Sequence, residues 1–345
     1  MRRPNARMTE PGPRILVVRL GSLGDLVHTL PAVAALHRAR PEAAIDWLVD
    51  RAHQDFLALV PIVSSVVTLE APTIAGWLEA RRTMRARRYG AAIDFQGLVK
   101  SAVLARLSGA ARVLGFDRAA LREPAARWFY TERVDVGEGR HVIDKNLALA
   151  AALGARTSVR EFPIADVASA AVDALRAEGV TEFALLNCGA AWPNKRWPAD
   201  RFGQVAGWLR ERHGLRSVAL WGPGESALAA DVVRASAGAA VAAPATGLRD
   251  LVALARAARL MVSGDTGPTH IAAAVGTPLV ALFGPTDPFR NGPWSDEDVI
   301  VSRYDACGCH YQRRCHRPED GWCLQQVDVG QVQRAIDARL SARPH

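Results

Sequence analysis

Four short turns and one cysteine run hold residues whose types and spacing could do chemistry. Gly21-Ser22-Leu23-Gly24-Asp25 sets two glycines, which let a backbone approach a ligand closely, ahead of a carboxylate at a helix start. Asp25 could take a proton from a substrate hydroxyl, or it could cap the helix, the commoner use of Asp there. No Lys follows the second glycine, so the turn is neither a P-loop nor a dinucleotide fingerprint. Ser263-Gly264-Asp265-Thr266-Gly267-Pro268-Thr269-His270 opens a helix on small residues, and amides at a helix N-terminus suit a diphosphate. Thr266 and Thr269 would add hydroxyl donors. Asp265 would cap the helix or accept sugar hydroxyls, and His270 could donate to a phosphate or serve the fold.

Trp192-Pro193-Asn194-Lys195-Arg196-Trp197-Pro198 places two cations between tryptophans, as a phosphate clamp or as an exposed loop with Trp on Pro. Gly222-Pro223-Gly224-Glu225-Ser226-Ala227 matches G-x-G-x-x-A formally, but no acidic residue stands about 20 positions on until Asp250. Glu225 there could take ribose hydroxyls. Cys307, Cys309, Cys315 and Cys323, with His310 and His316 nearby, lack C-x2-C pairs; reduced thiols are the favoured reading over zinc. Asp296-Glu297-Asp298 is a D-x-D string in a polar loop and reads as a solvated turn, so no metal ligand is expected.

The elements that must position these turns follow an α/β alternation. Arg14–Leu20, Ala44–Val49, Ser65–Leu69 and Ala91–Phe95 read as buried strands; Leu26–Arg40 reads as a helix interrupted by Pro31. Trp77–Arg88 and Leu98–Leu107 are helices. The alternation restarts near Thr181, with strands Phe183–Cys188, Ser217–Trp221, Leu260–Ser263 and Leu279–Phe283. Continuous apolar strands between helices indicate parallel sheets covered on both faces. Ligands then sit at the C-terminal ends of strands, where every turn above lies.

Length and composition agree. The 345 residues are 49% hydrophobic and 23% charged, enough for two domains and too apolar for disorder. No stretch is long and apolar enough to span a bilayer, and Met1–Arg14 has no apolar core of a secretory signal, so a cytoplasmic protein is expected. The net charge is +8, and residues 1–170, with 24 Lys+Arg against 17 Asp+Glu, hold nearly all of it. A basic half points to an anionic partner. Arg81, Arg85 and Arg88 share a helix face and, with Lys100 and Arg122, would meet the phosphates or carboxylates of a ligand, or an anionic membrane surface.

Taken together, Gly21–Ala32, Ala92–Ala102, Arg122–Pro124, Asn194–Pro198, Gly264–Pro278 and Leu282–Pro288 resemble glycosyltransferase family 9, the ADP-heptose:lipopolysaccharide heptosyltransferases, nearly end to end. The heptosyltransferase I branch is the closest, although the cysteine segment is more similar to the heptosyltransferase II branch. The resemblance implies a GT-B fold: two Rossmann-like, doubly wound parallel-sheet domains facing a central cleft. Residues 1–172 would bind acceptor, residues 173–327 the sugar nucleotide, and residues 328–345 form a C-terminal helix. It also implies inverting, metal-independent transfer of heptose from ADP-L-glycero-D-manno-heptose to the Kdo/inner-core region of lipopolysaccharide, with no cofactor. Asp25 then resembles the general base, Lys195 the diphosphate contact, Glu225 the ribose contact, and Asp265, Thr266 and Gly267 the donor site, joined by His270. Ser22, Gly24, Gln96, Lys100 and Arg122 are candidate acceptor contacts. The expected partners are ADP-heptose, a Kdo–lipid A or inner-core acceptor and the anionic inner-membrane surface, with the protein held there peripherally.

Three other readings stand beside this one. A family-9 enzyme could use a different donor or acceptor. An NAD(P)-dependent oxidoreductase could be built on Gly222–Ala227. A nucleic-acid-binding module could use the basic half, although no aromatic–basic interleaving supports it and no nucleic acid is expected.

Overall fold

The structure, a computed structural model, describes residues 13–315 and 323–342. Residues 1–12 and His316 lie outside the described residues. The first part of the chain runs β1 (Arg14–Val18), α1 (Leu23–Ala39), β2 (Ala44–Asp50), α2 (Gln54–Leu57), β3 (Ser65–Leu69), α3 (Ile74–Arg87), β4 (Ala91–Asp94), α4 (Val99–Leu107), β5 (Arg112–Phe116), β6 (Glu132–Val134) and α5 (Val142–Ala151). The second runs α6 (Ala170–Ala177), β7 (Phe183–Asn187), α7 (Ala199–His213), β8 (Arg216–Leu220), α8 (Ser226–Ala235), β9 (Ala240–Ala242), α9 (Leu248–Ala257) and β10 (Leu260–Gly264). It ends with α10 (Gly267–Ala274), β11 (Leu279–Phe283), α11 (Pro288–Asn291), β12 (Val299–Ser302) and α12 (Val329–Ser341).

Two six-stranded sheets result, ordered β3-β2-β1-β4-β5-β6 and β12-β11-β10-β7-β8-β9, with every pairing parallel. Both have the same doubly wound order, which reverses between β1 and β4 in one and between β7 and β10 in the other. At such a reversal the flanking crossovers go to opposite faces and leave a crevice beyond the strand ends. The chain forms two compact units. One ends its first stretch at Gly21 and includes Thr29–Glu138 and Ile143–Pro163; the other holds Ser22–His28, Gly139–Val142 and the chain from Ile164 on.

The central strands are apolar throughout because helices cover both faces: Leu16, Val17, Val18, Leu185, Leu186 and Val262 are fully buried. Each such side chain contributes about 1.5–3 kcal/mol of burial. Charges that enter these sheets are paired. Asp46 of β2 accepts from Arg14, Arg87 and Tyr89 at 2.8–3.1 Å. Asp94, ending β4, accepts from Gln96 N, Ser101 Oγ and the Tyr130 hydroxyl, and so shapes the turn after that strand. Burial raises the Asp94 carboxyl above its ordinary value.

The sequence reading differs in two respects. The helix expected to break at Pro31 runs on as α1 from Leu23 to Ala39. Its Leu26, Val27, Leu30, Val33 and Leu36 are all buried, and that packing holds the helix across the missing amide. The reading also identifies four strands in each half where the structure has six. Of the additional strands, β6, β9 and β12 are short or half-exposed and carry no continuous apolar run, whereas β5, buried from Val113 to Phe116, opens on the exposed Arg112 and has Gly115 within it. Among the described residues no helix is long and apolar enough to cross a membrane.

Candidate active site

The site forms where β7 and β10 end, at the reversal of the second sheet. The loop after β7 carries Trp192 and Lys195, and the turn after β10 carries Asp265, Thr266 and the start of α10. They line a cavity of about 210 Å³ together with Ser22, Gly24 and Asp25 of the same unit. Sequence reasoning places Asp25, Ser22, Gly24, Lys195, Asp265, Thr266, Gly267 and His270 in a site, and all eight line this one cavity.

Asp265 is its electrostatic centre. Lys195 Nζ donates to Asp265 Oδ2 at 2.5 Å and to its backbone carbonyl at 3.3 Å. Thr286 Oγ1 donates to the same carboxylate oxygen at 2.6 Å; Asn291 Nδ2 and His270 Nε2 meet Oδ1 at 3.2 Å. Burial alone would push the Asp265 carboxyl up, but the His270 hydrogen bond and the charges of Lys195 and His270 hold it well below the usual carboxylate range. Lys195 lies 4.7 Å from the Trp192 ring centroid, a second restraint on its ammonium.

Thr266 is held from beneath. Asn187, the last residue of β7, donates through Nδ2 to Thr266 Oγ1 and to Ser263 Oγ, both at 2.9 Å. Thr269, expected as a ligand donor, is instead fully buried: its hydroxyl pairs with Ser263 at 2.6 Å and donates to the Gly264 carbonyl. Thr266 is left as the hydroxyl at the mouth of α10. The amide of Gly267, first residue of α10, needs no intrahelical partner, and the helix dipole favours an anion there.

Asp25 occupies the third position of α1, not its N-cap. Ser22 is the residue before the helix, and Asp25 Oδ2 accepts from the Ser22 amide at 3.0 Å and its hydroxyl at 3.1 Å. This is the return half of a capping box, so the carboxylate is oriented at the helix start while it faces the cavity. Two glycines permit the close packing. A Cβ on Gly24 would collide with the His270 ring, and one on Gly267 would lie 2.9 Å from Leu23 Cδ2.

A match to glycosyltransferase family 9 (heptosyltransferase) spans residues 77–321. The chain belongs to this family. It is 29% identical to lipopolysaccharide heptosyltransferase 1 of Pseudomonas aeruginosa over 95% of its length and 98% of the relative's. Identity to lipopolysaccharide heptosyltransferase 1 of Salmonella typhimurium is 30%, over 80% of this chain and 89% of the relative. Among solved structures, E. coli heptosyltransferase WaaC with ADP superposes with a TM-score of 0.76 at 25% identity, covering 94% of this chain and 99% of that one. A family 9 glycosyltransferase from Veillonella parvula shares the fold at a TM-score of 0.80 and 24% identity. The fold is GT-B and the protein is a glycosyltransferase.

Other family-9 candidates lie outside the cavity lining. Glu225, in the turn after β8, accepts from Gly222 N at 3.0 Å, stands 3.6 Å from Arg196 and presses on Gly189. The G-x-G-x-x-A string therefore follows β8, one strand away from the reversal, and lacks the position that dinucleotide binding uses. In the other unit, Gln96 Oε1 accepts from Leu20 N at 2.8 Å, Lys100 stands 3.5 Å from Asp50 and Arg122 is exposed.

Several site residues were not singled out individually from sequence. Thr286 and Asn291 hold Asp265, although Thr286 sits within the Leu282–Pro288 segment that carries the resemblance. His28 lines the cavity one turn beyond Asp25, with ring contacts to His270 (4.4 Å between centroids), His141 and Trp294. Its i+3 spacing from Asp25 was the available signal. The cysteines are not in disulfides; Cys309 and Cys315 sulfurs stand 3.6 Å apart, and burial with Cys307 alongside pushes the Cys323 thiol up to about 12.

Proposed function

We propose that this glycosyltransferase moves heptose from ADP-L-glycero-D-manno-heptose to the Kdo or inner-core region of lipopolysaccharide, with inversion and without a metal. The observation that carries the proposal is the convergence in one cavity of an acidic side chain, Asp25, with a cation, a hydroxyl and a helix N-terminus suited to a diphosphate. The relatives' names, lipopolysaccharide heptosyltransferase 1, support heptose as the sugar and lipopolysaccharide as the class of acceptor, and the bound ADP of the E. coli enzyme supports an adenine nucleotide donor.

In this mechanism Asp25 accepts the proton of the acceptor hydroxyl as its oxygen attacks the anomeric carbon from the face opposite the diphosphate. The bond to the phosphate oxygen breaks and negative charge collects on the departing ADP. Lys195, Thr266 and the α10 amides are oriented before the reaction, so they stabilise that charge without reorganising; each such group is worth about 3–4 kcal/mol. A positioned base adds about 10²–10⁴-fold. Asp265 fixes Lys195, and Glu225 would take ribose hydroxyls. Ser22, Gly24, Gln96, Lys100 and Arg122 would meet the acceptor. Because that acceptor is a membrane glycolipid, the protein would work from the anionic cytoplasmic face, bound peripherally.

Competition of ADP-heptose against UDP- and GDP-sugars in a transfer assay tests the donor. ADP-heptose is expected to be consumed with strong preference, and preference for a non-adenine donor would overturn the assignment.

A further inference from the structure

The helix α3 has one stripe of opposite character along its length. Ile74, Leu78, Arg81 and Arg85 follow each other at i+4, i+3 and i+4, and Arg88 continues the series at the C-cap. The leading half is apolar and open: Ile74 is 82% exposed and Leu78 57%. With Trp77, Pro72 and Leu107 of α4 these two line a groove of about 460 Å³, remote in sequence from every cavity residue described above. An isolated exposed leucine is ordinary, but two large aliphatics beside a tryptophan over an apolar groove are not.

The trailing half is basic. Residues 81–88 hold five arginines, and Glu79 is the sole acid between Ile74 and Arg88. Arg87 is committed to Asp46, and Arg85 Nε donates to the Leu107 carbonyl at 3.3 Å. Arg82, Arg85 and Arg88 remain exposed, and Arg81 Nε, shut from solvent at the groove wall, has no hydrogen-bond partner. A helix with an apolar end and a cationic end on one stripe matches a surface that offers hydrocarbon just beneath anionic headgroups.

We infer that α3 is the membrane-docking element of this protein, with Ile74, Trp77 and Leu78 set into the acyl boundary of an anionic phospholipid bilayer and Arg82, Arg85 and Arg88 against its headgroups. This rests on the proposed peripheral association and names the face that makes it. The charge excess of the first half of the chain thereby has a specific location, and no residue of the membrane contact lines the catalytic cavity.

Co-sedimentation of the full chain with vesicles of phosphatidylglycerol and phosphatidylcholine, or of phosphatidylcholine alone, tests the inference. The wild type is expected to bind the anionic vesicles at least about tenfold more tightly, with affinity falling as salt rises. I74S/L78S and R82E should each weaken that binding about tenfold. Both should keep wild-type transfer to a water-soluble, deacylated acceptor, which also shows that they fold. A wild type that ignores all vesicles would overturn peripheral association itself. Variants that bind as well as wild type would overturn the assignment to α3 alone. Loss of a dimer in I74S/L78S by sedimentation velocity, with vesicle binding intact, would make the groove a contact between copies and overturn the inference.

Discussion

Lys195 Nζ stands 2.5 Å from Asp265 Oδ2, with side chains only 15% and 4% exposed. The ammonium that would meet the donor diphosphate is thus already held by a buried carboxylate. A pair so placed fixes the cation's position, and removing one partner strands the other. Lys195→Ala should lower kcat/KM for the donor by about 10²–10³-fold. It should also reduce stability by about 3–5 kcal/mol in urea unfolding, because Asp265 keeps its charge without its main cation. Lys195→Arg should recover much of the stability and less of the activity, since the planar guanidinium cannot occupy the same point.

Asp265 has a folded-state carboxyl held below its unfolded value, so its charged form stabilises the fold above the ordinary carboxylate range. That stability should be lost as pH falls below about 4 and the unfolded chain takes up the proton first. Asp265→Asn should therefore be less stable than wild type at pH 7, with the difference shrinking as pH is lowered toward 3. Thermal unfolding across that range checks the sign; a difference that grows on acidification would contradict it.

Thr286 and Asn291 donate to the same carboxylate, at Oδ2 and Oδ1, at 2.6 and 3.2 Å. Thr286→Val keeps the shape and removes one hydrogen bond, a loss of about 1 kcal/mol. Its effect should appear in the donor KM, several-fold, with the acceptor KM little changed, since in the proposed mechanism Asp265 acts on the donor side through Lys195. Steady-state kinetics with each substrate varied separates the two.

Gly24 allows the start of α1 to lie against His270. Gly24→Ala forces one of them to move and should cost about 1–3 kcal/mol of stability. Activity should fall further than stability predicts, because the displaced turn carries Asp25. Gly267→Ala, whose Cβ would meet the flexible Leu23 side chain, should be milder in both.

Much of this was legible in the sequence because the signals were local. Continuous apolar strands marked both sheets, and each chemical turn followed a strand, which is where a doubly wound sheet binds ligands. The edge strands β6, β9 and β12 were not legible, since three or four half-exposed residues carry no period. Nor was the use of Thr269: its hydroxyl is spent on Ser263 and Gly264, and nothing about its spacing separates it from Thr266. Asp25 could be read as cap or base from its position. The structure gives it both a capping contact with Ser22 and a place in the cavity.

That double position makes Asp25→Asn the sharpest test. Asparagine preserves the side chain's shape and an acceptor oxygen for the Ser22 amide, yet cannot take a proton. The measurement is ADP release from ADP-heptose with a Kdo–lipid A acceptor, at saturation in both. A folded variant with unchanged thermal stability and kcat lower by about 10²–10⁴-fold is the expected result. A folded Asp25→Asn enzyme turning over at the wild-type rate would contradict the proposed mechanism.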